Sequence, residues 1–190
     1  MNNPNKPFKG NGRSNYGDSN KNGDREADIK KLGELIKDIR IAMMTTMNTD
    51  GMLLSRPMAT QQVEFDGDLW FFTSDETGKV EDIERCKQVN LSYSSIGDEK
   101  YVSVTGNAEV LYDVMKMKEL WNPIMKAWFP EGLNDPNLRL IKVSVASAEY
   151  WETRGGKVGS LFGIVKNLVT GTTGGDGKNE KIQLQEGQVG

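Results

Sequence analysis

The sequence predicts an α+β domain: a six-stranded antiparallel sheet, closed or nearly closed into a small barrel, with flanking helices. Two observations carry this. Strand-like runs follow one another through short turns such as "NTDG" (48–51) and "FDGD" (65–68), as hairpins do. Helical spacing interrupts them only between hairpins, in the order strand-strand-strand-helix-strand-strand-helix-strand. Parallel strands would need a crossover after each strand, so a doubly wound fold does not fit.

Each element has its own signal. Ile29, Leu32, Ile36 and Ile39 recur at helical spacing and mark a helix from about 26 to 39. "IAMMTTM" (41–47) reads as a strand. A second strand is expected over 52–64, with Pro57 placing it at an edge or bulge because proline cannot donate to a ladder. "LWFFT" (69–73) completes a meander. Val80, Ile83 and Cys86 predict a helix over about 78–87, followed by strands over 88–96 and 101–111, the latter with Gly106 as a bulge or close approach. Asp113 is the expected N-cap of a helix over about 114–128. Residues 138–153 alternate as a strand, and "RGGKVG" leads to a short helix at about 160–169.

The flanks differ in composition. Residues 1–25 and 172–190 are rich in Asn, Gly, Lys, Ser and Gln with little apolar content. Both are expected to be disordered tails around a domain at 26–171, because they cannot bury enough surface to offset their ordering entropy.

Composition excludes several classes of function. With 24 basic and 27 acidic residues the formal charge is −3, and no basic excess is available for a nucleic-acid backbone. No stretch reaches the length of a membrane span, and the N-terminus lacks the apolar core of a signal peptide. The single cysteine, Cys86, rules out an intrachain disulfide framework, and the expected location is cytoplasmic. The chain has no histidine, which removes Ser-His-Asp and Cys-His nucleophile systems and imidazole metal sites. No catalytic side chain and no metal site is expected, so any redox chemistry would come from an organic cofactor.

Three features are candidates for a site. Thr77-Gly78-Lys79 lies where a strand hands over to a helix, and free backbone N–H groups and the helix dipole favour an anion there. The same residues also read as an ordinary cap beside a solvated lysine, and Asp75 and Glu76 would oppose an anion unless they turn away. Arg56, inside a strand, reads either as an edge residue that discourages aggregation or as a phosphate or ring contact. Most of the aromatics read as core, but "AEYWETRGGK" puts two of them at a strand end before a basic loop.

In this order "RPMATQQVEFDGDLWFFTSDETGKVEDI", "KYVSVTGNAEVL", "KAWFPEG", "NDPNLRLIKV" and "AEYWE" resemble the pyridoxamine 5'-phosphate oxidase-like FMN-binding split-barrel superfamily, and within it the bacterial general-stress-protein branch. The resemblance covers about residues 28–170. It implies a homodimer with FMN at the subunit interface and a flavin-dependent oxidoreductase acting at flavin N5, with NAD(P)H or a small molecule as electron partner. The alternatives are a flavin-binding store or sensor without turnover, and a split barrel using another phosphorylated cofactor such as a deazaflavin.

Residue by residue, the resemblance implies that Arg56, Pro57, Met58 and Gln61 line the isoalloxazine and phosphate. Phe72, Thr73, Thr77, Gly78 and Lys79 fall on phosphate and ribityl contacts; Thr77 stands where the oxidase has serine and Gly78 where it has arginine. Tyr101 would reach FMN from the partner chain, Trp151 matches a tryptophan near the flavin, and Leu161 replaces an arginine. The oxidase's substrate-gripping lysine, tyrosine, arginine and serine fall on Gln61, Glu119, Pro123 and Ala127. Loss of those cations implies that the chain is not an efficient pyridoxamine phosphate oxidase.

Overall fold

The computed structural model describes residues 21–153 and 177–184. In chain order the elements are α1 (Lys21–Ile36), β1 (Ile41–Met47), β2 (Leu53–Ala59), β3 (Asp68–Ser74), α2 (Gly78–Arg85), β4 (Gln88–Ser95), β5 (Lys100–Leu111), α3 (Val114–Leu120) and β6 (Leu138–Thr153), then β7 (Gly177–Gln183). Two 3-10 turns, Pro123–Ala127 and Gly132–Asn134, connect α3 to β6.

All strand pairings are antiparallel, in the order β2-β1-β4-β5-β6-β3, with β7 also on β6. The sheet is unclosed. Beyond the end of β2, the Gln61 N–H donates to the Trp70 carbonyl of β3 at 3.0 Å, so the two sheet ends meet without forming a ladder. This is the α+β split-barrel architecture.

β6 organises it. Its 16 residues keep β5 on one edge, while β3 takes 138–144 and β7 takes 147–153 of the other. At the junction the pairing with β5 jumps from Thr105↔Ser147 to Gly106↔Val145, leaving Ala146 as the extra residue of a bulge. Glycine is required opposite it, because a Cβ on Gly106 would lie 2.6 Å from the Ser144 carbonyl oxygen. Both expectations for Gly106, bulge and close approach, are met.

Alternation on β3 separates two cores. Phe71 points into the barrel with Leu32 and Ile36 of α1, Met44, Leu91, Val104 and Ile141. Phe72 points the other way, into a second cluster with Met117, Leu120, Met125, Phe129 and Leu140, and its ring meets Trp121 edge-on at 5.5 Å.

Several boundaries differ from expectation. Residues 21–25 begin α1, and the strand expected over 52–64 stops at Ala59. There the Thr60 N–H turns to the Arg40 carbonyl at 2.9 Å and leaves the ladder. The helix expected over 114–128 is capped as predicted, Asp113 accepting from the N–H groups of Met115 and Lys116 at 3.0 Å, but ends at Leu120. Asn122 precedes Pro123, which disfavours helical backbone, and it sits extended at φ −115°, ψ 134° before the first 3-10 turn. The polar composition of 172–190 concealed a seventh strand, for β7 pairs with β6 and Ile182 and Leu184 join the main core. "RGGKVG", Leu161 and the helix expected at 160–169 lie outside the described residues.

Candidate functional site

Three elements converge at the start of α2. On β2, Arg56 lies opposite Met44 of β1, on the face that also carries the buried Met58. Its Nη1 donates to Thr46 Oγ1 at 2.8 Å and its Nη2 to Asp82 Oδ2 at 3.3 Å; Thr46 Oγ1 donates to the same carboxylate oxygen at 2.8 Å. The inward position of Thr46, following Ala42 and Met44 at period two, and the position of Asp82 on the α2 face that buries Val80 and Ile83 bring these polar groups together.

The turn from β3 into α2 holds a chain of hydroxyls. Thr77 is the N-cap residue by backbone, φ −91° and ψ 136°, but its hydroxyl does not cap the helix. It donates to the Ser74 carbonyl at 2.8 Å and accepts from Lys79 Nζ at 3.0 Å, with Thr73 Oγ1 at 3.3 Å. Gly78 is open, since a Cβ there would meet nothing within 4 Å. Burial, followed by the positive charge of Arg56, lowers the pKa of the half-buried Lys79 ammonium. Two cations therefore share this corner.

The neighbouring acids do turn away, each to a partner near the start of β6. Asp75 forms an ion pair with Arg139 at the start of β6. Glu76 Oε1 accepts from Asn137 Nδ2 at 2.9 Å, and the Asp75 N–H donates to the Asn137 carbonyl at 2.9 Å. The corner is thus hydroxyl-lined and cationic, which suits a phosphate.

The other expected residues fall elsewhere. Met58 and Phe72 bury their side chains in the two cores, so only their backbone is available to the site. Pro57 is exposed opposite Met43. Gln61 Nε2 donates to the Ala59 carbonyl at 3.2 Å, at the seam between β2 and β3. Tyr101 and Trp151 are direct cross-strand partners, 46% and 40% exposed on the outward face of the sheet. Within one chain they are turned away from the corner that holds Lys79.

A cavity of about 800 Å³ lies apart from this corner, between α1 and residues 60–69, lined by Ile29, Gly33, Ile36, Gln61 and Phe65. Part of its polar rim is already engaged: Lys37 with Glu34 at 2.6 Å, Gln62 with the Lys37 carbonyl at 2.9 Å, and Asp68 with Ser144 at 2.6 Å. Charge and hydroxyls converge at the start of α2, not here. Among the described residues no three His, Cys, Asp or Glu side chains group as a metal site, and no helix is long and apolar enough to cross a membrane.

Residues 27–175 match the family described as pyridoxamine 5'-phosphate oxidase like. The chain belongs to this family. Protein bli-3 of Neurospora crassa is 32% identical over 172 residues, covering 84% of this chain and 81% of that protein. The general stress FMN/FAD binding protein of Xanthomonas citri is similar in structure with a TM-score of 0.61 at 27% identity, over 71% of this chain and 95% of its own. A protein related to general stress protein 26 from Clostridium acetobutylicum shares the fold with a TM-score of 0.63 at 18% identity, over 84% and 96%.

For this member of the pyridoxamine 5'-phosphate oxidase-like family, the four positions expected to fall on the oxidase's substrate-gripping residues carry no cation. Gln61 bonds to backbone, Glu119 accepts from Lys116 at 2.7 Å, Pro123 opens a 3-10 turn and Ala127 is exposed. Sequence reasoning missed Thr46, Asp82, Asn137 and Arg139. A usable signal existed for two of them: a threonine on the apolar face of β1, and an acid between Val80 and Ile83.

Proposed function

We propose that this chain binds FMN as a general-stress-type flavoprotein, with the flavin phosphate at Thr73, Thr77, Gly78 and Lys79 and with Arg56 behind them. The convergence of Lys79 and the two threonine hydroxyls on an open turn, with the nearby acids drawn off by Arg139 and Asn137, carries this reading. When bound, the flavin supplies hydride or electron transfer at N5. The chain contributes binding, orientation and electrostatics, with no side-chain nucleophile.

The homodimer belongs to the same reading. Tyr101 and Trp151 face outward on the sheet face that also exposes Ile41 and Met43, so they are positioned to meet a second copy and its flavin. The family membership and the FMN/FAD-binding description of the Xanthomonas citri protein support a flavin over other phosphorylated ligands.

Titration of the full chain with FMN tests the site. Lys79→Ala removes a charge-assisted contact worth roughly 1.5–3 kcal/mol, so affinity falls by about 10- to 100-fold. Unchanged affinity would place the phosphate elsewhere. Anaerobic mixing of the flavin-loaded protein with NADH and NADPH tests the oxidoreductase: bleaching of the flavin band is expected with at least one, and a band that persists with both would mark a passive binder.

A further inference from the structure

Asp82 has no part in the phosphate contacts above, yet it is a carboxylate only 6% exposed, three residues after Lys79. A buried carboxylate is tolerated only with charged and hydrogen-bonding partners. Here both partners come from the barrel wall: Thr46 donates at 2.8 Å, and Arg56 donates to the same oxygen at 3.3 Å while also donating to Thr46 at 2.8 Å. The three side chains close a ring in which one guanidinium charge meets one carboxylate charge.

The consequence is electrostatic. Arg56 and Asp82 together carry no net charge. Among the described residues no carboxylate lies within ion-pair distance of Lys79, whose ammonium is met by the Thr77 hydroxyl. The corner therefore presents a net charge of one to an incoming anion, although it holds two cations.

We propose that Asp82 sets the phosphate selectivity of this site: its buried carboxylate holds the charge of the partly exposed Arg56 in a pair and leaves Lys79 as the cation that distinguishes a phosphorylated ligand from its dephosphorylated counterpart. Asp82 is a positioning residue that acts through Arg56. The proposal rests on the reading of this corner as a flavin-phosphate site.

The test compares FMN with riboflavin, which differ only by the phosphate. Both are titrated into flavin-free full chain, and the quantity read is the ratio of riboflavin Kd to FMN Kd. Asp82→Asn keeps an acceptor oxygen for Thr46 and Arg56 but removes the charge, and the ratio is expected to rise at least tenfold. Asp82→Asn combined with Arg56→Gln replaces the pair by neutral groups, and the ratio is expected to stay within threefold of the unaltered chain. This second variant keeps the test open if the first folds poorly.

Equal weakening of both ligands by Asp82→Asn would show a purely structural anchor and overturn the proposal. So would a tenfold fall of the ratio in the double variant, which would mean that Arg56 meets the phosphate with its charge free. Failure of the unaltered chain to bind FMN at all would instead remove the flavin reading, and this proposal with it.

Discussion

Asp75 of the β3–α2 turn is paired with Arg139 at the start of β6, and this pairing turns a carboxylate away from the corner that holds Lys79. Arg139 is held in turn, its Nη1 donating to the Pro136 and Leu138 carbonyls at 2.8 Å and its guanidinium lying 5.1 Å from the Tyr112 ring. Both side chains of the pair are about a quarter exposed, so its effect on stability is modest, on the order of 1 kcal/mol. Its effect on an anion is larger, because a released carboxylate would sit two residues from Thr77.

Arg139→Ala is therefore expected to weaken FMN binding about tenfold, and Asp75→Asn added to it to restore most of the loss. The cycle isolates the freed charge from the lost packing. It is read by FMN titration of both variants; a double variant no better than Arg139→Ala would assign the effect to packing alone.

Lys79 gives opposite pH dependences for binding and for stability. Burial and Arg56 lower its pKa below the usual lysine value of 10.5, so the folded chain releases this proton before the unfolded chain does. Over the window from the lowered value up to 10.5 the unfolded state holds more protons, and the contribution of this residue to stability rises with pH. FMN affinity falls over the same window, because the phosphate loses its cation while remaining a dianion above about pH 7. Kd measured from about pH 7 to about pH 10 should rise in the unaltered chain and stay flat in Lys79→Arg, whose charge persists. A parallel rise in both would point to another titrating group.

The seventh strand should matter to stability out of proportion to its composition. Ile182 and Leu184 are 4% and 6% exposed against α1 and β6 residues of the main core. Their combined replacement by alanine is expected to cost at least the low end of the roughly 2–5 kcal/mol typical of a single buried Ile or Leu. Urea unfolding measures it, and hydrogen exchange should show faster opening of 147–153, which loses its ladder partner. An unchanged midpoint would detach the strand from the folding unit.

That strand also shows where the sequence stopped being legible. β1, β4, β5 and β6 were readable because each buries one face and alternates. β7 offers Ile182 as a core residue, with Leu184 just after it, among polar neighbours, and its warrant is the free edge of β6, which no local pattern reveals. The site divides in the same way. Thr77-Gly78-Lys79 is a contiguous motif at a strand–helix junction and could be located directly. The Arg56–Asp82 pair spans 26 positions, and Asp75–Arg139 joins a turn to the start of a distant strand, so neither leaves a periodic trace. Proline at 123 was visible but outweighed by the apolar spacing of Met117, Leu120, Ile124 and Trp128; the backbone restriction before proline prevailed.

Tyr101 and Trp151 make the role of a second copy testable. They are adjacent across β5 and β6 but outward, whereas Arg56 and α2 contribute to the inner side of the barrel. One chain turns the two groups to opposite faces of the sheet, so in the proposed site Tyr101 and Trp151 would meet the flavin of a partner. Met43 lies on the same outward face, 41% exposed, and a charge there should leave the monomer fold intact. Met43→Glu is expected to shift sedimentation from dimer to monomer and to weaken FMN at least tenfold, with quenching of Trp151 fluorescence by FMN lost in parallel. A monomer that held FMN with unchanged affinity would remove Tyr101 and Trp151 from the site and leave the phosphate corner to bind the flavin alone.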